Sequence, residues 1–342
     1  MLVHYTCPNC GSDMAFDTAS GKLSCSSCGR KDDITNFSEE FIKKEFSDDE
    51  TKEYHCENCG AVVLTNKDTT ATSCSFCNAN VVLADRLVGQ QAPAKVIPFS
   101  ISKQEAQEAF KKWCKNGRLT PDGFVTAERI KNITGMYVPF WIYDLHSDIE
   151  LSATGMRVRT YSRGDYIYTE TKYYDVFRDL EMYHVKVPVD ASEKMDDELM
   201  DKLEPYNYND LVEFKTPYLT GFLAEKYNYT DNELLPRAKA KINQYIQSFI
   251  NSSITGYSSV RNRQETVQTK QRKGSYVLFP VWMIVYDLEQ QEHTFAMNGQ
   301  TGKVVGKPPI SKRKVFNWFA GLTVSFFIFI KVLAAIMGGV WW

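Results

Sequence analysis

Two evenly spaced cysteine quartets, a strand-rich middle and a nearly uncharged C-terminal run predict a multidomain fold: two small four-cysteine zinc ribbons, an α+β domain rich in antiparallel strands, and one C-terminal transmembrane helix. Cys7-x-x-Cys10 and Cys25-x-x-Cys28 are separated by 14 residues, and Cys56-x-x-Cys59 and Cys74-x-x-Cys77 repeat the same gap 49 positions later. The expected divisions are a first ribbon over 1–30, an acidic amphipathic helical linker over 31–53, a second ribbon over 54–90, an α+β domain over 91–310, and a basic juxtamembrane segment with the transmembrane helix over 311–342.

The ribbons come first. A two-residue spacer lets one tight turn aim two sulfurs at one ion, and four thiolates make a closed tetrahedral site that suits Zn2+. The residue after each pair needs a permissive backbone, and Gly11, Gly29, Gly60 and Asn78 stand there. Cys7, Cys10, Cys25 and Cys28 are therefore assigned to one zinc, and Cys56, Cys59, Cys74 and Cys77 to a second. Both ions are read as structural, because a ribbon of about 25 residues cannot bury enough core to hold itself together. A redox dithiol would be expected near a βαβ pattern, and neither quartet has one. The opening stretch MLVHYTCPNC has no basic n-region and no apolar h-region, so the chain is expected to start in the cytosol, where thiols stay reduced.

Charge bears on the partner. The whole chain carries a net −2, and residues 1–90 hold eight basic against fourteen acidic side chains, a net of −6. Phosphate binding needs clustered Lys and Arg, so this balance argues against DNA or RNA and favours protein recognition. In the acidic linker, Phe37, Phe41, Ile42 and Phe46 share one helical face, read as intramolecular packing.

In the α+β domain, Ser102-x-x-Glu105 is a capping box. It opens a helix with Ala106, Ala109, Phe110, Trp113 and Cys114 inward, and Asn116-Gly117 stops it. A second helix starts at Thr230-Asp231-Asn232-Glu233, with Leu235, Ala238, Ile242, Tyr245, Ile246, Phe249 and Ile250 as its apolar stripe. MYVPFWIYD (136–144) and YVLFPVWMIVYD (276–287) read as strands and as a weak internal repeat. Hairpin turns are expected at Arg163-Gly164-Asp165 and Asn298-Gly299. Arg261, Arg263, Lys270, Arg272 and Lys273 form the one anion-binding candidate, on an exposed strand pair. GQTGK (299–303) lacks phosphate-loop spacing and reads as a turn. His146, beside Asp144 and Asp148, has no nucleophile motif with it, His184 and His293 stand alone, and all three are read as structural or surface histidines rather than ligands. No catalytic or cofactor-binding residues emerge, and the chain is expected not to be an enzyme.

From Val315 to Trp342 the only charged side chain is Lys331. Trp318 and Trp341 stand 23 residues apart, about 34 Å of helix, which places an aromatic residue at each face of a bilayer core. The preceding Lys307, Lys312, Arg313 and Lys314 put the N-terminal bulk on the cytoplasmic side of a cell membrane crossed once. Lys331, Ala334, Ala335, Gly338 and Gly339 share a face with two small-xxx-small pairs. That face either packs on another membrane helix, with a carboxylate or carbonyls near Lys331, or Lys331 snorkels to the outer interface.

The whole chain resembles a family of membrane-anchored double zinc-ribbon proteins of Gram-positive bacteria, of the YdjG type. The resemblance rests on the paired quartets, YVPFWIYD (137–144), PYLTGFLAEKYNY (217–229) and FAMNGQTGKVVG (295–306). Members are labelled as replication-restart helicases or as transcription-factor-like ribbons, but this chain has no helicase motif. The family's association with phage-shock protein A and a virion-core-like protein implies a role in envelope stress. It implies a cytosolic phage-shock-type or virion-core-like partner. The reading reached is a non-enzymatic adaptor at the membrane; the alternative is a membrane-tethered nucleic-acid-binding ribbon protein.

Overall fold

The computed structural model describes residues 2–3, 5–36, 51–55, 62–66, 69–73, 79–83, 92–116, 119–121, 133–288, 291–306 and 310–336. The N-terminal quarter holds β1 (Leu2–Val3), β2 (Met14–Asp17), β3 (Lys22–Cys25), β4 (Lys31–Asp32), β5 (Thr51–His55), β6 (Val62–Asn66), β7 (Thr69–Ser73) and β8 (Asn80–Leu83). There follow β9 (Lys95–Val96), α1 (Lys103–Asn116), β10 (Thr134–Arg163), β11 (Tyr166–Asp190), α2 (Asp197–Leu203), β12 (Val212–Glu213), β13 (Leu223–Glu225) and α3 (Asp231–Ser253). The chain closes with β14 (Ser259–Leu288), β15 (Gln291–Asn298), β16 (Val304–Val305) and α4 (Lys312–Ile336).

Among the described residues, eleven strands form one sheet with the path β1-β8-β7-β13-β10-β14-β15-β16. Strands β2, β3 and β4 form a separate small sheet, and β5 pairs with β6. The two aromatic segments read as a repeat lie against each other: Tyr137 faces Pro280 and Trp141 faces Tyr276 across the β10–β14 ladder.

The sequence explains how β10 is covered. Over MYVPFWIY (136–143) the strand is apolar on both sides, as a strand covered on two faces must be. Tyr137 joins a layer with Phe99, Phe110, Leu278 and Phe295. Met136, Val138, Phe140 and Ile142 join the opposite layer with Met200, Leu203 and Phe279. From Leu145 onward the pattern alternates. Leu145, Ile149 and Leu151 pack under α3, and His146, Asp148 and Glu150 point the other way. Beyond Tyr143 the strand runs on for 20 residues to Arg163, an arm about 66 Å long that is three-stranded with β11 and β14 as far as Met156 and a β10–β11 hairpin beyond it. Gly164, at φ 62°, turns β10 into β11 where a hairpin was expected.

The predicted capping box at Ser102 forms, and the predicted helix start at Thr230 is a capping box as well. Ser102 N–H donates to Glu105 Oε2 at 2.7 Å, and Thr230 N–H donates to Glu233 Oε2 at 2.7 Å. Helix α1 buries Ala106, Phe110 and Cys114, so Cys114 is a core thiol. Helix α3 buries Ala238, Ile242, Ile246 and Ile250 against the arm, whereas Tyr245 and Phe249 are exposed. The stripe is narrower than the sequence indicated: the row spaced four apart meets the arm, flanked at the helix start by Leu234 and Leu235. Truncating Ile246 to Ala is expected to cost about 2–5 kcal/mol. Tyr245→Ala, at 63% exposure, is expected to stay within about 0.5 kcal/mol. Urea unfolding of the detergent-solubilised protein reads both, and equal losses would mean that α3 is rotated on the arm.

The segment GQTGK is a turn, as read. Asn298 Oδ1 accepts from Gln300 N–H and Thr301 N–H, both at 2.9 Å. Gln300 Nε2 in turn donates to Asp210 Oδ2 at 2.7 Å. At the C-terminal end, Lys312–Leu333 is one helix long and apolar enough to cross a membrane, with mean hydropathy 1.7 and none of it buried. Its start is tied to the sheet domain, where Ser311 N–H donates to Leu119 O at 2.8 Å and Lys314 Nζ donates to Thr120 O at 2.8 Å.

Candidate metal centre

The N-terminal ribbon is built from two identical turns. Cys7 O accepts from Gly11 N–H at 2.8 Å, and Cys7 N–H donates to Ser12 O at 2.8 Å. The second turn repeats both bonds: Cys25 O with Gly29 N–H at 3.0 Å, and Cys25 N–H with Arg30 O at 2.9 Å. Gly11 and Gly29 take φ values of 72° and 75°, the left-handed conformation foreseen for them. The β2–β3 hairpin carries the second turn beside the first, with Met14 opposite Cys25. Asp17 fixes the hairpin end, accepting from Lys31 Nζ and Ser20 Oγ, both at 2.6 Å. The Lys31 ammonium, with Ser20, holds the Asp17 carboxyl down at about 2.

The four sulfurs of Cys7, Cys10, Cys25 and Cys28 lie within 4.8 Å of one another. Cys7 and Cys28 Sγ are 3.5 Å apart, as are Cys10 and Cys25 Sγ. Zn–S bonds of about 2.3 Å place tetrahedral ligands about 3.8 Å apart, so the cluster fits one structural Zn2+. Backbone donors favour two of the thiolates. The Ser12 N–H lowers Cys10 to about 6, and the Arg30 N–H lowers Cys28. At Cys25 the Cys28 and Ser27 N–H groups act the same way, but burial and the thiols of Cys10 and Cys28 outweigh them and push it up to about 11. When bound, the ion supplies a fourfold cross-link; with four protein sulfurs it has no open position for a reacting group.

The ribbon does not hang free. Tyr5, Met14, Phe16, Leu23 and Ile34 belong to the same core layer as Leu219, Phe222 and Tyr137. Phe16 N–H donates to Thr220 O at 3.1 Å, its ring meets Tyr218 edge-on at 5.4 Å, and Tyr5 OH hydrogen-bonds Thr216 Oγ1. The docking platform is thus the TPYLTGF stretch (216–222), which runs into the motif PYLTGFLAEKYNY (217–229). Sequence reasoning missed this contact. The available signal was a ribbon with Tyr5 and Phe16 flanking its cysteines and no core of its own to receive them.

The other predicted residues fare differently. Cys56, Cys59, Cys74 and Cys77 lie outside the described residues, as do the linker residues Phe37, Phe41, Ile42 and Phe46. The neighbouring β7 and β8 belong to the large sheet, where β7 pairs with β13. Lys331 is exposed on α4, with Nζ 5.6 Å from the Phe327 ring centre one turn back. Ala334 and Ala335 fall in the last turn of α4, and Gly338 and Gly339 lie outside the described residues.

A four-cysteine ribbon fused to a strand-rich sheet domain, with one apolar C-terminal helix, defines a zinc-ribbon protein. Residues 5–46 match the family described as TFIIB zinc-binding. Along its whole length the chain is similar to the uncharacterized protein YdjG of Bacillus subtilis (strain 168), 60% identical over 339 residues and covering 99% of each chain. The chain belongs to the YdjG family. No solved structure matches it.

Proposed function

We propose that the protein is a non-enzymatic, membrane-anchored adaptor that uses cytosolic zinc ribbons to recruit protein partners to the membrane in the envelope stress response. The observation that carries this reading is α4, a helix of membrane-spanning length with no part buried, whose first turn holds Lys312, Arg313 and Lys314. Burying its apolar face in lipid removes the cost of leaving it in water. The N-terminal ribbon then stands as a fixed projection of the cytosolic body. One side is spent on docking to residues 216–222, and Pro8, Asn9, Ser26 and Ser27 remain exposed at the cysteine turns. A protein partner reads that tip, and a second membrane protein packs on the Lys331 face of α4. The cytosolic partner is of the phage-shock or virion-core-like type that the family resemblance implies.

The nucleic-acid reading is favoured by one observation, the likeness of residues 5–46 to a TFIIB zinc-binding domain. The net −6 of residues 1–90 opposes it. Affinity purification of the full-length chain from detergent-solubilised membranes, with and without nuclease, separates the two. The adaptor predicts a stoichiometric protein that survives nuclease; recovery of nuclease-sensitive material alone would hand the function to the alternative.

A further inference from the structure

On the face of the arm turned away from α3, His146, Asp148 and Glu181 converge. His146 and Asp148 are two apart on β10 and so share a face, and Glu181 stands directly opposite Asp148 on β11. His146 Nε2 lies 3.4 Å from Asp148 Oδ1 and 3.7 Å from Glu181 Oε2. Both gaps exceed an N–H···O hydrogen bond, about 2.7–3.2 Å. They match the spacing of neighbouring ligands around a small divalent ion: bonds of about 2.1 Å give a tetrahedral edge of about 3.4 Å. The nitrogen is shut off from solvent and has no hydrogen-bond partner among the described residues. A buried imidazole nitrogen left unpaired in that way calls for an explanation.

The surroundings hold each donor in place. The Tyr183 ring stacks on His146 at 4.4 Å, nearly parallel. Its hydroxyl donates to Glu181 Oε2 at 3.0 Å. Lys270 Nζ sits 3.4 Å from Asp148 Oδ2, the far oxygen, leaving Oδ1 turned to the imidazole. Outer contacts of this kind orient ligands in metal sites. Lys270 is 68% exposed and is free to swing away from an arriving cation.

We propose that His146, Asp148 and Glu181 form a metal site of a different kind from the ribbon: an open N,O,O site for one divalent first-row transition ion. Water fills the remaining positions. One imidazole and two carboxylates suit such ions, whereas the thiolate quartet selects Zn2+ and closes around it. The site lies on β10 and β11 of the arm, remote in sequence from both quartets.

The test is a Co2+ titration of the full-length protein in detergent, prepared with zinc already bound and followed by visible absorption. One Co2+ is expected to bind with weak d–d bands and no thiolate-to-cobalt band in the near ultraviolet. His146→Ala and Glu181→Gln are each expected to weaken binding tenfold or more; Glu181 is 62% exposed, so its substitution leaves folding intact. Tyr183→Phe keeps the stacked ring and loses the hydroxyl, and is expected to weaken binding by a smaller factor. Uptake that shows only the thiolate band, or binding unchanged in both the His146 and Glu181 variants, overturns the site.

Discussion

Cys25→Ser is expected to cost the protein one zinc ion per chain and to unfold residues 5–36. Cys25 is 1% exposed, with its sulfur 3.5 Å from that of Cys10, and a serine hydroxyl there gives neither a thiolate nor the right bond length. A structural zinc contributes on the order of 10 kcal/mol to the folding of a small ribbon, and one this short has no core to replace it. The loss should spread beyond the ribbon. Tyr5, Phe16, Leu23 and Ile34 share a layer with Leu219 and Phe222, so unfolding strips one side of the sheet domain as well. Zinc content falls by one per chain, limited proteolysis cuts between Met14 and Asp32, and the melting midpoint of the remainder drops by about 5 °C or more. Ser26→Ala, in the same turn but exposed, should change none of these. Unchanged zinc content in Cys25→Ser would remove that cysteine from the metal site.

The second large effect concerns α4. Ending the chain at Ser311 should move the protein from the membrane pellet to the supernatant after alkaline carbonate washing, while the full-length chain stays in the pellet. Phe316, Phe319, Leu322, Phe326, Phe327 and Phe329 are each at least 58% exposed. At about 1.5–3 kcal/mol per side chain, sheltering these six is worth on the order of 10 kcal/mol. The basic start of the helix adds attraction to anionic headgroups. Release of the full-length chain by carbonate would leave α4 as a surface for another protein and take away the anchor.

The features legible in the sequence were those written in short-range chemistry. The glycine after each Cys-x-x-Cys pair of the first ribbon, the capping box at Ser102, the helix start at Thr230 and the turn at Gly164 each depend on residues within a few positions. The long-range pairings were not legible. MYVPFWIYD and YVLFPVWMIVYD read as strands of ordinary length, yet they are the inner thirds of 30-residue strands. The outer parts gave little apolar periodicity, because past α3 the arm has no core to face. Tyr161, Tyr166, Ile167 and Tyr173 are exposed there. The docking of Phe16 on Tyr218 joins segments 202 positions apart, and nothing in either segment alone names the other. Tyr245 and Phe249 misled for the same reason: an apolar side chain at helical spacing marks a buried stripe only if the opposing surface is wide enough.

The arm's two borders have a colloidal consequence. Among the described residues, β11 pairs with β10 alone, and β14 over 259–274 likewise pairs with β10 alone. A long bare strand border is a template on which another chain can polymerise. The β11 border is broken by one register shift, near Lys186 at φ 58°, and the β14 border by two, near Arg272 and near Asn262 at φ 51°, and such irregularities twist a strand out of line. Arg261, Arg263, Lys270, Arg272 and Lys273 stud one border, and Lys172, Arg178 and Lys186 interrupt the other. Molecules crowded together can therefore leave these borders bare without seeding a fibre from them.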